Sequence, residues 1–217
     1  MIVAIDGGVA SGKSAVGKRV AEALGLPFVD SGLMYRAVTR VAAERGIDPH
    51  DAEALTQLAN STDVKIDGER VWVDGVELTD RIYDADYSEA LPLVAAVPGV
   101  REALVEQQRR LGDRGVVMAG RDIGTVVFPD ADYKLFLVAS LDEKVRRRAA
   151  QFEKRGEKVD QEAMRKEVEE RDRVDTQRAV APLRPAPDAF VIDTDRLDVD
   201  EVVDVILKYI AEHPKTK

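Results

Sequence analysis

The stretch Gly7-Gly8-Val9-Ala10-Ser11-Gly12-Lys13-Ser14 decides how the rest of the chain is interpreted. It fits the pattern G-x-x-x-x-G-K-[ST] and follows a short apolar run at 2–5. The segment behind it carries apolar residues at helical spacing as far as Leu24. A strand, a glycine-rich loop and a helix therefore follow one another, which is typical of a loop that binds phosphate through its backbone.

The composition of this stretch, the phosphate loop, has a physical explanation. Side chains would block a phosphate, so Gly7, Gly8 and Gly12 leave backbone N–H groups free to converge on it. The positive end of the following helix adds attraction. Lys13 can reach the β- and γ-phosphates of a nucleotide, and Ser14 can supply a hydroxyl to Mg²⁺. A turn that needs small residues only for packing is the alternative, and it leaves the Lys-Ser pair unexplained.

Length and composition limit the class of protein. A chain of 217 residues suits one α/β domain with inserted subdomains, or at most two small domains. The net charge of −9 argues against general nucleic-acid binding, and the absence of cysteine excludes disulfides and thiolate metal sites. No run approaches the ~18 apolar residues of a membrane span. We expect a cytoplasmic protein with neither a membrane nor a nucleic-acid partner.

Apolar runs that alternate with helical segments predict a doubly wound parallel sheet flanked by helices. The strands are expected at 2–6, 27–29, 116–119, 133–138 and 189–192. Polar residues follow three of these strands: the phosphate loop, Asp30-Ser31 and Arg121-Asp122. Open α/β sheets bind their ligands at this edge. Alternatively, Ser31 caps the next helix, while Asp122 either joins a Mg²⁺ site or accepts a hydrogen bond from a substrate.

Two regions interrupt this pattern. Residues at roughly 62–86 alternate between apolar and polar, and Asp74-Gly75 is a strong turn signal, so we predict an inserted antiparallel hairpin subdomain. A simple surface hairpin is the alternative. Residues 140–178 are dense in both charges and are broken at Gly156, which predicts two charged helices that can act as a lid.

Several arginines can face an anion. Arg36 lies early in the predicted second helix, and Arg101 lies in the first turn of a helix at 99–111, where a cation opposes the helix dipole. Arg171, Asp175 and Arg178 share one helix face. The alternatives are a solvated side chain for Arg36, a pair with a nearby acid for Arg101, and an intrahelical salt bridge for Arg171 and Asp175.

This inventory favours phosphoryl transfer between anions. Such a reaction needs in-line positioning and cations that neutralise charge on the transferring group, with little covalent chemistry from the protein. The chain offers a phosphate loop and scattered arginines but no obvious general base. An acceptor that is already a phosphate needs only weak activation, whereas an alcohol would benefit from a placed base.

Five stretches in this order resemble the bacterial cytidylate kinases of the nucleoside monophosphate kinase superfamily, along almost the entire chain. They are Asp6-Gly7 with the phosphate loop, then 30–36, 95–101, 120–129 and 171–183. The resemblance implies a single phosphate-loop kinase domain over 1–217. Its core spans about 1–30, 112–140 and 179–217, its monophosphate-binding region with the inserted hairpin about 31–111, and its lid about 141–178.

The resemblance also implies an activity and the residues that perform it. The γ-phosphate of ATP is transferred to CMP or dCMP with Mg²⁺, and we expect a monomer. By position, residues 7–15, ending at Ala15, bind ATP, and Ser14 contacts the metal. The residues that promote transfer are Lys13, Arg147, Arg148 and Arg171. The residues that bind the acceptor are Ser31, Arg36, Arg101, Arg121, Asp122, Arg171, Asp175 and Arg178.

Within this set, Ser31, Arg101, Asp122 and Arg178 resemble the residues that read cytosine. This places Asp122 as a base acceptor, because a carboxylate suits the exocyclic amine of cytosine, which uracil lacks. The chain departs from the family at three positions. Gly8 stands where Pro is common, Ala10 where Gly is common, and Pro92 where a sugar-contacting Ser is common, so the preference between CMP and dCMP is open.

Overall fold

The computed structural model describes residues 1–83, 87, 89–154, 156 and 158–215. The strands are β1 (Ile2–Gly7), β2 (Phe28–Asp30), β3 (Val64–Asp67), β4 (Arg70–Val73), β5 (Val76–Glu77), β6 (Val116–Gly120), β7 (Tyr133–Val138) and β8 (Phe190–Asp193). The α-helices are α1 (Lys13–Leu24), α2 (Gly32–Glu44), α3 (Ala52–Asn60), α4 (Leu91–Ala96), α5 (Pro98–Leu111), α6 (Leu141–Glu153), α7 (Gln161–Gln177) and α8 (Val199–Glu212). Residues 84–86, in the predicted hairpin subdomain, and 155 and 157, in the predicted lid, lie outside the described residues.

Five strands form a parallel sheet in the order β2-β6-β1-β7-β8. β1 is central, with Ile5 opposite Ala119 of β6 and Leu135 of β7. Parallel strands covered on both faces need apolar side chains throughout, which explains why these strands are nearly continuous hydrophobic runs. The α/β fold with a parallel sheet flanked by helices is confirmed, and each predicted strand lies within one residue of its expected position.

Alternate residues of β1 serve two separate layers of the core. Val3 and Ile5 belong to a cluster that includes residues of α1 and α8, such as Ile206. Ala4 belongs to a cluster on the other face with Met118. Side chains of a strand alternate between faces, so a buried central strand links both layers. β1 is therefore rigidly held, and the phosphate loop begins at its carboxyl end.

The strands β3, β4 and β5 form a separate antiparallel sheet, which confirms the predicted hairpin region. Asp74 and Gly75 both have positive φ, at 51° and 83°, as a tight turn between β4 and β5 requires. Val71 is fully buried and Val73 nearly so, in a cluster that includes Val38 of α2. Because this sheet packs on α2, it is part of the folded core and more than a surface hairpin.

The two charged helices expected in the lid region are α6 and α7. They share a small apolar cluster of Val145, Met164 and Val168. Gly156 lies between the helices with φ 78°, a left-handed conformation that suits glycine. Across the described part of the chain, no helix is both long enough and apolar enough to cross a membrane.

Candidate active site

The phosphate loop leads from β1 into α1, and its lysine is buried. Only 7% of Lys13 is exposed, and its Nζ donates to the Gly8 carbonyl at 2.5 Å and to Ser11 Oγ at 3.3 Å. Burial lowers the pKa of Lys13 well below its usual value, and the charge of Arg121 lowers it further. The ammonium is therefore buried against the phosphate loop, where it experiences the positive charge of an arginine of the predicted acceptor site.

Two small residues shape the loop. A Cβ at Gly7 would lie 2.5 Å from the Leu137 carbonyl oxygen, so this residue must be glycine for the loop to pass β7. Ala10 has φ 53°, in the left-handed region that glycine adopts freely. The sequence departs from the family at that position, and the left-handed conformation costs a residue with a Cβ roughly 1–2 kcal/mol.

Ser14 is hydrogen-bonded to the end of the neighbouring strand. Its Oγ donates to Asp30 Oδ2 at 2.6 Å, and Asp30 Oδ1 accepts the Gly32 N–H at 3.0 Å. Asp30 therefore holds the start of α2, and the alternative in which the Ser31 side chain caps this helix is wrong. The Ser14 hydroxyl and the Asp30 carboxylate form an oxygen pair beside the loop.

Five charged residues of the predicted acceptor site alternate in sign. Arg101 Nη2 lies 2.6 Å from Asp122 Oδ2, and Asp122 Oδ1 lies 3.8 Å from Arg178 Nη2. Arg178 Nη1 lies 3.5 Å from Asp175 Oδ1, and Asp175 Oδ2 accepts from Arg121 Nε at 2.7 Å. This acceptor network joins the start of α5, the exit of β6 and the end of α7, three places that are far apart in sequence.

The acceptor network contacts an aromatic ring, and Ser31 lies close to it at the end of β6. The Arg101 guanidinium lies over the ring of buried Tyr35, 5.0 Å from its centroid. Burial raises the pKa of Tyr35 to about 12, so its hydroxyl stays protonated. The Ser31 N–H donates to the Ala119 carbonyl, and its Oγ lies 2.6 Å from where a Cβ on Gly120 would be. Ser31 therefore lies against Gly120 at the end of β6, and Gly120 immediately precedes Arg121.

A second group of arginines surrounds Arg171. Its Nε lies 4.0 Å from Asp175 Oδ2. Burial lowers the pKa of Arg171 to about 10, and the charges of Arg121, Arg36 and Arg148 lower it further against the opposing effect of Asp175. Burial likewise lowers the pKa of Arg36. The positive charges of Arg121, Arg36 and Arg148 thus act unfavourably on Arg171, and a bound polyanion relieves such repulsion.

Several buried arginine nitrogens have no hydrogen-bond partner among the described residues. They are Arg101 Nε, Arg148 Nε, Arg171 Nε and Arg178 Nη2. A buried donor without a partner costs roughly 1–3 kcal/mol, so native proteins keep few of them. Their concentration in one place indicates a site that binds acceptors from outside the chain.

The two predicted lid arginines lie differently. Arg147 donates to Glu143 Oε1 at 2.6 Å and to the Thr194 carbonyl at 2.6 Å, and its Nη1 lies 3.4 Å from the Ser11 carbonyl. It therefore links α6 to the phosphate loop and to Thr194, just after β8. Arg148 pairs with Glu167 at 3.2 Å and stacks over Phe152, and it belongs with the group around Arg171.

The sequence alone did not assign a role to Asp6. Its two oxygens accept the N–H groups of Ile123 and Gly124 at 2.8 and 2.7 Å. Burial raises the pKa of Asp6 to about 6 even though these hydrogen bonds lower it. Asp6 therefore ties the end of β1, just before the phosphate loop, to the segment after Asp122. The sequence feature that could have pointed to Asp6 is its position immediately before Gly7, at the end of the central strand.

Asp172 and Lys144 are also near the phosphate loop and also went unassigned. Asp172 Oδ1 accepts the Val9 N–H at 2.9 Å, and Asp172 Oδ2 lies 2.6 Å from Lys144 Nζ. Asp172 stands next to Arg171 in a segment full of charges, so nothing in its spacing separated it from solvent-facing acids.

Comparison with known proteins identifies the family. The family model described as cytidylate kinase matches residues 3–212. The cytidylate kinase of Geobacillus kaustophilus (strain HTA426) is 46% identical over 97% of this chain and 96% of its own, and that of Bacillus subtilis (strain 168) is 42% identical over the same shares. A bifunctional pantoate ligase/cytidylate kinase of Synechococcus sp. (strain JA-3-3Ab) is 47% identical, and the match spans 95% of this chain but 40% of that protein.

A solved structure supports the fold independently of sequence. An uncharacterized protein from Eubacterium ventriosum ATCC 27560 superposes with a TM-score of 0.56 at 16% identity, and 98% of each chain is covered. At that identity the likeness concerns the fold alone. The family match over nearly the whole length, together with the phosphate loop and the charged residues assembled beside it, leads to one conclusion: the chain belongs to the cytidylate kinase family.

Proposed function

We propose that the chain transfers the γ-phosphoryl group of ATP to CMP, and also to dCMP, giving the nucleoside diphosphate and ADP. Membership of the cytidylate kinase family supports the reaction class. In this proposal the phosphate loop, residues 7–15, holds the donor, and the acceptor network with Ser31 and Arg36 holds the monophosphate. A monomeric state, a cytoplasmic location and the lid role of 141–178 stay predictions.

One observation carries the proposal: the acceptor network includes the exit of β6, the strand beside the one that leads into the phosphate loop, and it has more cations than anions. Arg101, Arg121 and Arg178 share two carboxylates, those of Asp122 and Asp175, and Arg171 adds a further positive charge. The excess of two charges matches a phosphate monoester, which carries about −1.5 to −2 at pH 7. A nucleoside monophosphate brings both this charge and a base to such a site.

The choice of cytosine follows from the carboxylate of Asp122. A carboxylate accepts hydrogen bonds only, so it favours a base that presents an amine. The exocyclic amine of cytosine is such a donor, while uracil presents a carbonyl at the same place. The buried Arg101 and Arg178 flank Asp122 and can donate to the acceptor atoms of the ring. Pro92 carries no hydroxyl, which leaves sugar contacts to residues such as Arg171 and Asp175.

The oxygen pair of Ser14 and Asp30 fits Mg²⁺, which prefers oxygen ligands. Among the described residues no group of three or more acidic or histidine side chains could hold a metal ion. This fits an ion that arrives with ATP, because Mg²⁺ in kinases is held by one or two protein oxygens plus phosphates. When bound, the ion neutralises charge on the donor phosphates.

The protein's own part in the reaction is positioning and charge neutralisation. The phosphate loop fixes the donor through its amides, and Lys13 reaches its terminal phosphates. Arg36, Arg121, Arg148 and Arg171 offset the negative charge of two phosphates brought together, which would otherwise repel each other. An acceptor phosphate is already ionised at pH 7, so the site needs no general base.

Release of ADP from the purified chain, measured in a coupled assay with ATP and a panel of CMP, dCMP, UMP and AMP, tests the proposal. We expect the highest kcat/KM with CMP, substantial activity with dCMP, and weak activity with UMP and AMP. Lys13→Met, the matched control, should lower kcat roughly a hundredfold, because the ammonium acts most strongly in the transition state. Faster turnover of UMP or AMP than of CMP would overturn the choice of acceptor.

A further inference from the structure

Asp172 contacts the phosphate loop from the lid helix α7. Its Oδ1 lies 2.9 Å from the backbone nitrogen of Val9, and its Oδ2 lies 2.6 Å from Lys144 Nζ. A Cβ added to Gly8 would lie 2.8 and 2.9 Å from the two Asp172 oxygens, so the carboxylate rests directly on the loop. The backbone N–H groups of the phosphate loop suit an anion, and in this structure the N–H of Val9 binds a carboxylate of the same chain.

Lys144 stands at the same point. Its ammonium would lie 3.1 Å from a Cβ on Gly8, and its side chain is 16% exposed while that of Asp172 is 20% exposed. The cation is thus within reach of any anion that occupies the amide of Val9. By contrast, Arg165, Lys166 and Arg173 of α7 are exposed and pair with exposed acids, as Arg173 does with Glu170.

We propose that Asp172 is a resident anion that a terminal phosphate of ATP displaces, and that Lys144 then becomes a further ligand of the donor phosphates. The inference rests on the proposed use of ATP as donor. The exchange leaves no polar group unpaired, because the phosphate takes over both partners of the carboxylate, the Val9 N–H and the Lys144 ammonium. The released Asp172 side chain turns toward solvent, where its charge is hydrated, while α7 keeps Arg171 at the site.

An ordinary structural ion pair between α6, α7 and the loop predicts the opposite behaviour. Such a pair would remain when ATP binds, and its loss would loosen the lid and weaken the nucleotide. A resident competitor instead lowers the affinity of the intact protein for ATP. Neutralising Asp172 therefore separates the two roles by the sign of the change in affinity.

Calorimetric titration of ATP into the full chain without CMP provides the measurement, so it remains readable even if CMP proves to be the wrong acceptor. Asp172→Asn should bind ATP roughly tenfold more tightly, as expected when one hydrogen bond between charged groups no longer has to be broken. Asp172→Ala should bind at least as tightly, because it also removes the acceptor of the Val9 N–H. Glu170→Gln carries the same change of charge on α7 without touching the loop and should leave the Kd within twofold.

Lys144 is tested in the same assay. Lys144→Gln should weaken ATP binding in the Asp172→Asn background by roughly tenfold, because that background has already lost the internal partner of the lysine. An unchanged or weaker Kd in both Asp172 variants would overturn the proposal and assign the pair to lid structure. An equal gain in Glu170→Gln would also overturn it, in favour of a general effect of net charge.

Discussion

The buried pair of Arg101 and Asp122 offers a demanding test of the site. Its atoms are 2.6 Å apart, and the two side chains are 3% and 4% exposed. Asp122→Asn keeps the size of the side chain but removes the negative charge. Arg101 and Arg178 then share one buried place with no carboxylate between them, because Arg178 Nη2 also faces Asp122, at 3.8 Å.

The expected cost follows from this burial. Removal of one partner from a buried ion pair destabilises a protein by about 3–5 kcal/mol, because the remaining charge is uncompensated. A typical domain has only about 5–15 kcal/mol of stability in total, so Asp122→Asn should shift the unfolding transition by a large amount. Asp142, whose pair with Arg165 is exposed, provides the control: Asp142→Asn should cost less than about 1 kcal/mol.

Urea unfolding followed by circular dichroism gives the stability difference, and calorimetry gives the nucleotide affinities. Under conditions in which Asp122→Asn is folded, it should bind CMP roughly 10- to 100-fold more weakly than the wild type, since Asp122 belongs to the acceptor network. Its affinity for ATP should change little. The double variant Arg101→Met with Asp122→Asn should recover part of the lost stability. A loss no greater than that of Asp142→Asn would refute the electrostatic reasoning, and equal losses for ATP and CMP would reassign Asp122 to the donor's metal.

Two further predictions concern Asp6 at the end of β1 and Gly17 in α1. Burial raises the pKa of Asp6 to about 6, with Asp122 raising it and Lys13 lowering it, so the native state holds this proton more tightly than the unfolded chain, where the pKa is about 4. The stabilisation is present below pH 4 and is lost as the pH rises through 6. Urea unfolding should therefore show that the wild type loses about 3 kcal/mol of stability relative to Asp6→Asn between pH 4 and 7. A difference in stability that stays constant over this range would contradict the raised pKa. Gly17→Ala should destabilise the protein by about 1–3 kcal/mol in thermal unfolding, because the new Cβ would lie 2.4 Å from Phe28 Cε2. Glu22→Ala, at an exposed position of the same helix, is the control. An equal Tm for the two variants would show that Phe28 moves aside at no cost.

Much of the fold follows from local patterns. Continuous apolar runs identified the strands of the parallel sheet, and the Asp74-Gly75 turn identified the meander between β4 and β5. These features depend on neighbouring residues: burial on both faces of a strand and positive φ in a turn are visible in a short window. The phosphate loop is the same kind of signal, because its glycines and Lys13 lie within eight residues.

The sequence did not show which residues far apart along the chain form hydrogen bonds and ion pairs with each other. Asp172 lies 163 positions from Val9, and Asp6 lies 117 from Ile123, yet both pairs are hydrogen-bonded. Spacing along one helix placed Arg171 and Asp175 on a common face, but it gave no sign that Asp175 would bind Arg121 more closely, at 2.7 Å against 4.0 Å for Arg171.

Local patterns were therefore enough to predict the parallel sheet, the phosphate loop and the polar residues at each strand exit. The folded structure was needed to show which carboxylate pairs with which guanidinium, and that an acid of α7 rests on the loop. The two kinds of feature differ in the separation along the chain over which their interactions act. Strand, turn and loop preferences are set by sterics and burial within a few residues, whereas ion pairs depend on distances of 3–4 Å between side chains that the folded sheet brings together.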